Sequence, residues 1–310
     1  MDPVPLSAAA RLRSHLSDPT QTLICPGVYD GLTARIALNE GFTHLYMTGA
    51  GTAATRLGAP DLGLTTLNDM VENARMIASL DRTVPVIADA DTGYGGPLMV
   101  ARTVQAYMTA GVAGMHLEDQ VVTKRCGHLS GKELVSEEEY LARIRAAVMA
   151  REEQREVWPG SDIVLIARTD SLQSLGYEAA VGRLKKAVEV GADVAFLEGM
   201  TSLEQCGRVC RDLAPTPVLL NMVAGGITPD LSADEARELG FRIVIFPGVC
   251  LGPIVEEASR ALRRLRVERR NEVSEFQKRM GVKGFYDVVR LGDSLAFDKR
   301  AGGSAFENGV

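Results

Sequence analysis

The sequence predicts a closed (β/α)8 barrel of the TIM type, because eight short apolar segments alternate with helical patterns along most of its length. Each apolar segment is rich in Val, Ile and Leu, which is typical of strands buried on both faces of a parallel sheet. A doubly wound open sheet is the alternative fold class. It is disfavoured since no glycine-rich dinucleotide-binding motif follows the first segment.

The eight predicted strands are short and well separated. They occupy residues 22–28, 44–49, 84–91, 114–119, 163–170, 194–199, 217–223 and 242–248. Helical patterns fill the intervals between them. The first has an apolar stripe formed by Leu32, Ile36 and Leu38, and two others begin with the spacing of a capping box, Ser136 with Glu139 and Ser232 with Glu235.

The chain is predicted to divide into two parts. Residues 1–267 form the catalytic barrel, whose last helix is expected at about residues 252–267. Residues 268–310 keep apolar side chains at helical spacing, although a lone barrel has no obvious place for them. We expect this helical tail to pack on a partner subunit.

Composition excludes several classes of function. The net charge is −6, from 34 basic and 40 acidic residues, and no basic stripe is present, so nucleic-acid binding is not expected. An apolar run of about 18 residues, as a membrane span requires, is absent from the sequence. The five cysteines are an odd number without a disulfide framework, which favours reduced thiols and a cytoplasmic protein. Cys206 and Cys210, one helical turn apart, are interpreted as ordinary thiols for want of further ligands.

Acidic side chains at the ends of two neighbouring strands predict a metal site. Asp89 and Asp91 lie two residues apart in a predicted strand, so both carboxylates are expected on one face. Oxygen donors of this kind favour Mg²⁺, with Mn²⁺ as a substitute. Glu118 ends the next strand and is placed to bind the ion or one of its waters, while His116 is interpreted as a supporting group. The alternative is an Asp pair that caps a loop.

Later strand ends carry groups suited to a substrate carboxylate. Arg168 ends the fifth strand, where it would bind either a carboxylate of the substrate or Asp170 and Glu198 in a structural ion pair. Both possibilities remain open from the residues alone. Asn221 and Thr228 lie in a Gly-rich loop that fits carboxylate oxygens but also has the composition of an ordinary turn.

The loop at residues 121–133 carries a cysteine among cations. Lys124, Arg125 and His128 surround Cys126, and positive charge of this kind favours the thiolate and hence a reactive cysteine. The flanking glycines allow the loop to move as a lid over the barrel. From the residues alone, Cys126 is expected to act either as an acid/base group or as a nucleophile.

Eight of these segments together resemble the isocitrate lyase/phosphoenolpyruvate mutase superfamily: YMTGAG, LGLTTLND, VIADADTGYG, HLEDQ, KRCGH, IARTD, FLEG and NMVAGGITP. The resemblance implies a barrel whose eighth helix is swapped between subunits, within a homotetramer built as a dimer of dimers. The Lys-Arg-Cys-Gly-His segment is the form found in the carbon–carbon lyase branch of the superfamily.

The resemblance also implies roles for individual residues. Asp89 and Asp91 would hold Mg²⁺ directly or through water, with Glu118 and Asp69 in its outer shell. Lys124, His128 and Arg168 would take part in catalysis beside Cys126. The substrate would be bound by the other matched residues, with Tyr46 and Arg168 also in contact with it: Thr48, Gly49, Ala50, Gly127, Glu198, Asn221 and Thr228.

The activity implied is cleavage of a 2-hydroxy dicarboxylate, such as 2,3-dimethylmalate, to a 2-keto acid and a carboxylic acid. Cys126 would then protonate the carbanion, and Tyr46 is the candidate base. Hydrolysis of oxaloacetate, cleavage of methylisocitrate, and an inactive barrel that serves as a binding protein are the alternatives. The chain lacks the insert of isocitrate lyases proper, and Ala224 stands where relatives often have Glu. Thr228 and Pro229 stand in the loop where the hydrolases have a distinguishing serine, which favours the lyase.

Overall fold

A computed structural model describes residues 6–306 and shows eight parallel strands closed into a barrel. Each strand pairs with the next along the chain, and the last pairs with the first. The expected fold class is confirmed, with each strand inside its predicted segment. The strands are β1 (Leu23–Val28), β2 (Leu45–Met47), β3 (Val86–Asp89), β4 (Gly114–Leu117), β5 (Val164–Thr169), β6 (Val194–Leu197), β7 (Val218–Asn221) and β8 (Ile243–Phe246).

The helices surround this barrel and extend beyond it. They are α1 (Ala8–Ser17), α2 (Gly31–Asn39), α3 (Gly49–Thr52), α4 (Leu67–Leu80), α5 (Pro97–Ala110), α6 (Glu137–Val157), α7 (Leu172–Leu175), α8 (Tyr177–Val190), α9 (Leu203–Asp212), α10 (Ala233–Leu239), α11 (Leu251–Glu268), α12 (Glu275–Val288) and α13 (Leu291–Arg300). A single π-helical turn, Ala53–Leu57, follows α3.

The strands are apolar on both faces because each face contacts a different part of the core. Side chains inside the barrel, among them Tyr46, Ile166 and Phe196, form one cluster. The opposite strand faces pack against the helices and form a second, larger cluster. Both faces are therefore removed from water, which is the condition that favours continuous apolar strands over alternating ones.

Helix α1 is absent from the predicted elements, and it closes the N-terminal end of the barrel. Its Leu12 is fully buried among the residues of the inner cluster. Arg13 on the same helix binds Asp162 and Asp193, at 2.5 and 2.8 Å. The bottom of the barrel is therefore sealed, and the opposite end, where the strands terminate, is left for a functional site.

Two local expectations differ from the structure. Ser136 caps α6 by accepting the N–H of Glu139, but the Glu139 side chain binds Arg143 instead of completing a capping box. The stripe on α2 is buried only in part: Leu38 packs against the core, but Leu32 and Ile36 are about 40% exposed. The buried residues of this helix are Thr33, Ala34 and Ala37. The capping box of Ser232 and Glu235 on α10 is confirmed.

The C-terminal helices lie away from the core. The last barrel helix is present as α11, but none of its residues is buried against the chain's own barrel. The tail forms α12 and α13, and the former touches α2, where Asn39 Nδ2 donates to the carbonyl of Val288 at 2.8 Å. Among residues 6–306, no helix is long and apolar enough to cross a membrane.

Candidate active site

Asp89 and Asp91 meet at the end of β3, but they do not share a strand as expected. Asp89 is the last residue of β3, and Asp91 lies in the following turn with a φ of 46°. The Asp91 N–H donates to Asp89 Oδ1 at 2.9 Å, and the Gly49 N–H donates to Asp89 Oδ2 at 3.2 Å. Both carboxylates are nearly inaccessible to solvent. The turn, rather than the alternation of a strand, brings them together.

Gly49 is required where the chain passes over Asp89. A Cβ atom on this residue would lie 2.4 Å from Asp89 Oδ2, which is closer than atoms of this kind approach. Thr48 caps α3 by accepting the N–H of Gly51, so its side chain holds this backbone in place. Ala50 follows, partly exposed, in the same short helix. Thr48, Gly49 and Ala50, which are expected to bind the substrate, thus lie at the start of α3 next to Asp89.

Lys124 forms a buried ion pair with two carboxylates. Its Nζ lies 2.5 Å from Asp91 Oδ1 and 2.8 Å from Asp61 Oδ1. Burial raises the pKa of Asp91 to about 6, with Lys124 opposing the shift and Asp89 and Asp61 adding to it. Lys124 therefore faces the paired aspartates rather than serving only as a cation beside the cysteine.

Asp69 caps a helix, whereas Asp61, which the sequence motifs did not single out, binds Lys124 beside Asp91. The Asp69 carboxylate accepts the N–H and the hydroxyl of Thr66, which completes a capping box at the start of α4. The Asp69 carboxylate is thus occupied by the helix cap, and the residue is partly exposed. The spacing Thr66-x-x-Asp69 is typical of a capping box. It would have assigned Asp69 to the start of α4 and left Asp61 as the acid available to the site.

Arg168 lies in a buried network of carboxylates. Its Nε is 2.8 Å from Asp170 Oδ2 and 3.3 Å from Glu118 Oε2, and its Nη2 is 3.5 Å from Glu198 Oε2. Burial raises the pKa of Glu118 well above its usual range, opposed by Arg168 and Lys124. Of the two possibilities that the sequence left open for Arg168, the ion pair with Asp170 and Glu198 is present. The guanidinium also lies at the mouth of the barrel.

Tyr46 and His116 form a hydrogen-bonded pair inside the barrel. Tyr46 Oη lies 2.8 Å from His116 Nε2 and 3.5 Å from Asp89 Oδ2. Burial raises the pKa of Tyr46 well above 10 and lowers that of His116 to about 4, so both groups are neutral at pH 7. A neutral phenol in contact with a neutral imidazole can donate to the ring nitrogen or accept from it, depending on the histidine tautomer.

The loop that carries Cys126 lies closed against these residues. A Cβ atom on Gly127 would meet Arg168 Nη2 at 2.4 Å and Glu198 Cγ at 2.7 Å, so the loop backbone rests on both side chains. His128 Nε2 is 3.4 Å from Asn221 Nδ2. Asn221 in turn donates to Glu198 Oε2 at 2.9 Å. Thr228, in the loop after β7, is also buried.

The electrostatic setting of Cys126 is the reverse of the one expected. Burial raises the pKa of its thiol, and the N–H of His128 and the charges of Arg168 and Lys124 offset that effect only in part. The Arg125 side chain is exposed, while Lys124 is engaged with Asp61 and Asp91. The thiol therefore stays protonated at neutral pH, which suits a proton donor and not a nucleophile.

The site as a whole carries more negative than positive charge. Its salt bridges join three cations, Lys124, Lys132 and Arg168, to five carboxylates, Asp61, Asp91, Glu118, Asp170 and Glu198, and Asp89 is a sixth acid. His116 is neutral and does not reduce the excess. Buried carboxylates in excess of cations are unfavourable without a further positive charge.

The carboxylates at this end of the barrel offer an all-oxygen donor set, which fits a hard divalent cation. The nearby nitrogens are Lys124 Nζ, which is bound to Asp91, and His116 Nδ1, 3.6 Å from Asp89 Oδ1. Within residues 6–306, no three His, Cys, Asp or Glu side chains converge closely enough to enclose a metal ion. An ion here would therefore take few direct protein ligands and complete its shell with water or substrate oxygens, as Mg²⁺ commonly does.

A model of the phosphoenolpyruvate phosphomutase family matches residues 12–266, which is most of the chain. The chain belongs to this family. The 2,3-dimethylmalate lyase of Eubacterium barkeri is 42% identical over 242 residues, which is 78% of this chain and 80% of that protein. The family expected from the sequence motifs is thereby confirmed.

Two solved structures of the family are closely similar over nearly their full lengths. A 2,3-dimethylmalate lyase has a TM-score of 0.94 and 53% identity, covering 99% of both chains. An oxaloacetate acetylhydrolase in complex with 3,3-difluorooxalacetate has a TM-score of 0.92 and 51% identity, covering 97% of this chain and 99% of its own. With these relatives, the chain is a carbon–carbon lyase of the phosphoenolpyruvate mutase/isocitrate lyase superfamily.

Proposed function

We propose that the chain cleaves 2,3-dimethylmalate, or a similar 2-alkylmalate, to a 2-keto acid such as pyruvate and a carboxylic acid. The observation that carries the proposal is a thiol, kept protonated by burial, on a loop closed over Arg168 and the paired aspartates. A reaction that produces a carbanion beside a carboxylate needs such a donor, shielded from water. The similarity to two proteins named 2,3-dimethylmalate lyase supports this substrate.

We propose Mg²⁺ as the cofactor, with Mn²⁺ as a substitute. Asp89 and Asp91 would hold it directly or through water, with Asp61 and Glu118 around its shell. What supports this is the all-oxygen donor set and the excess of buried carboxylates at this end of the barrel. When bound, the ion neutralises that excess and polarises the substrate oxygens that face it.

The residues of the chain have distinct parts in the proposed reaction. Arg168, Asn221, Glu198 and Thr228 bind the carboxylates of the substrate, while the turn Thr48–Ala50 and Tyr46 hold the half that becomes the keto acid. Tyr46 Oη lies 2.8 Å from His116 Nε2, so it can take the proton of the substrate hydroxyl while passing its own to the imidazole. Tyr46 therefore remains the candidate base.

The bond changes are balanced by one proton lost and one gained. The substrate hydroxyl gives its proton to Tyr46, which passes its own phenolic proton to His116 Nε2 at 2.8 Å. The C2–C3 bond then breaks, and its electron pair moves to C3, where it is shared with the adjacent carboxylate. The Cys126 thiol then delivers its proton to C3, while Lys124, Gly127 and His128 keep the loop closed and exclude water. Arg168 and Asn221 stabilise the negative charge on the carboxylate during this step.

Direct assays with three substrates test the proposed activity. With 2,3-dimethylmalate and Mg²⁺, pyruvate is expected, measured with a coupled lactate dehydrogenase. Oxaloacetate hydrolysis is the second candidate, favoured by the similarity to the oxaloacetate acetylhydrolase structure, and it is followed by direct loss of oxaloacetate. Methylisocitrate is the third substrate, since a 2-methylisocitrate lyase of Aeropyrum pernix is 37% identical over 96% of this chain. No turnover of any of them would favour the inactive barrel and refute the proposal.

The variant Cys126→Ser tests the proton donor. A serine hydroxyl is a far weaker acid than a thiol, so kcat is expected to fall by a factor of about 10² to 10⁴. Ser130→Ala is the matched control, because Ser130 is exposed on the same loop. Full turnover by Cys126→Ser would show that the thiol is not the donor.

We also propose that the chain assembles as a homotetramer, a dimer of dimers in a reducing compartment such as the cytoplasm, with α11 swapped between subunits and the residues after 267 packed on a partner. Support comes from α11 itself, which buries none of its residues on its own barrel, and from its exposed apolar side chains Ile254, Val255, Leu262, Leu265 and Val267. Light scattering is expected to give a tetramer mass. A mass equal to one chain at all concentrations would refute the swap.

A further inference from the structure

Gln120 lies at the start of the loop that carries Cys126, and both the nitrogen and the oxygen of its side-chain amide form hydrogen bonds. Nε2 donates to Glu118 Oε1 at 2.8 Å and to the carbonyl of Arg125 at 2.8 Å, and Oε1 accepts the N–H of Arg125 at 3.1 Å. The residue is fully buried. A primary amide is the side chain that supplies two donors and an acceptor in this arrangement. Gln120 therefore fixes both peptide groups of Arg125, the residue before Cys126.

Lys132 fixes the chain on the other side of the cysteine. Its Nζ donates to the carbonyl of Gly127 at 2.5 Å and to Asp170 Oδ1 at 3.1 Å. The side chain is only 3% exposed although it belongs to a surface loop. Asp170 is also bound by Arg168 through two hydrogen bonds. Lys132 thus ties the residue after Cys126 to the guanidinium at the mouth of the barrel.

The ends of the loop are anchored as well. Gln120 forms an antiparallel bridge with Leu134, and Arg143 Nη1 donates to the carbonyl of Gln120 at 2.9 Å. Arg183 Nη2 donates to the carbonyl of Val135 at 3.2 Å. With both ends held, Gln120 and Lys132 fix the two peptides that flank Cys126, in addition to the ion pairs of Lys124 and the contacts of His128.

We propose that Gln120 and Lys132 are positioning residues that act as a two-point latch, holding the peptides on both sides of Cys126 so that its thiol faces the reacting carbon. The latch connects the thiol to Glu118 beside the paired aspartates and to Arg168 beside the substrate carboxylates. Closure of the loop and assembly of the rest of the site are therefore linked. This inference rests on the proposed function of Cys126 as proton donor.

The variants Gln120→Met and Lys132→Met test the latch, since methionine approximates the volume of each side chain without its hydrogen bonds. The full-length protein is treated with iodoacetamide, and modification of the Cys126 peptide is followed by mass spectrometry. Each variant is expected to alkylate at Cys126 about tenfold faster than the parent chain, which corresponds to the loss of about 1.4 kcal/mol, the value of one buried hydrogen bond. Ser130→Ala is expected to match the parent.

Steady-state kinetics give the second measurement. Each variant is expected to lose about tenfold or more in kcat/KM. Because Lys132→Met leaves the buried Asp170 paired with Arg168, both variants are assayed well below their measured melting temperatures, where they are folded. Unchanged alkylation and unchanged kcat/KM in Lys132→Met would overturn the latch. If the protein has no lyase activity, the alkylation rates still decide whether the latch exists, so failure of the proposed function is recognised separately.

Discussion

The variant Gly127→Ala isolates the effect of loop closure from that of chemistry. Gly127 has no positive φ among the described backbone angles, so alanine brings no backbone strain. The new methyl group would lie 2.4 Å from Arg168 Nη2, 2.7 Å from Glu198 Cγ and 3.0 Å from Asp170 Oδ1. The closed loop therefore has no room for the methyl group, and Gly127→Ala should shift the loop away from its closed position.

The size of the effect follows from these distances. A carbon and a nitrogen normally stay about 3.4 Å apart, so the overlap with Arg168 is about 1 Å. Arg168 has little freedom to move because Asp170 binds it through two hydrogen bonds. Overpacking of this kind costs about 1–3 kcal/mol, so kcat/KM is expected to fall by a factor of about 5 to 150.

The assay is pyruvate release from 2,3-dimethylmalate, combined with thermal unfolding. The melting temperature of Gly127→Ala is expected to stay near that of the parent, because the loop contributes little to the core. Gly182→Ala is the matched control: Gly182 lies in α8 with no atom within 4 Å of an added Cβ, so activity should be unchanged. Parental kcat/KM in Gly127→Ala would refute the closed loop as the reactive state.

Three further predictions follow from charges and pKa values. Since the pKa of Cys126 is raised, its alkylation at pH 7.5 is expected to be slower than that of a free thiol and to rise with pH; fast alkylation would contradict burial of the thiol. Asp61→Asn leaves Lys124 with Asp91 alone, so Mn²⁺ affinity measured by electron paramagnetic resonance should fall, and equal affinity would show that Asp61 has no part in the site. Burial lowers the pKa of His44 from 6.5 to about 4, with His15 and Arg11 adding to it, so the unfolded chain binds a proton that the folded chain does not. The contribution of His44 to the free energy of unfolding is therefore fully present above pH 6.5 and is lost as the pH falls from 6.5 to 4. In urea titrations, His44→Gln should lose less stability than the parent over that range. Equal losses would exclude His44 as the cause.

The strands of the barrel were predictable because both of their faces are buried, which leaves an uninterrupted apolar signal in the sequence. The rim residues Asp89, Glu118 and Arg168 were predictable for a related reason, since charges directly after such strands have few other places to lie. The stripe on α2 was misassigned because helical spacing does not reveal which side faces the core. Helix α1 was not predicted because the residues that bury it lie in strands far away in the chain.

Other features of the site depend on contacts that no local pattern records. Two acids, Asp61 and Asp69, lie between β2 and β3; Asp69 caps the first turn of α4, whereas Asp61 lies in the loop before that helix and binds Lys124. The raised pKa of Cys126 results from burial under the closed loop, whereas the adjacent cations in the sequence suggested the opposite shift. Burial is a property of the folded chain, so spacing alone does not yield it.

The mutual pairing of the charged groups at the barrel mouth restricts how such an enzyme changes during evolution. Arg168 is shared by Glu118, Asp170 and Glu198, so replacing Arg168 removes a cation from three buried carboxylates at once. Uncharged positions of the loop after β7, such as Ala224 and Thr228, can instead be substituted without disturbing an ion pair. We therefore expect changes of substrate preference to be tolerated at these two positions and not at the charged ones.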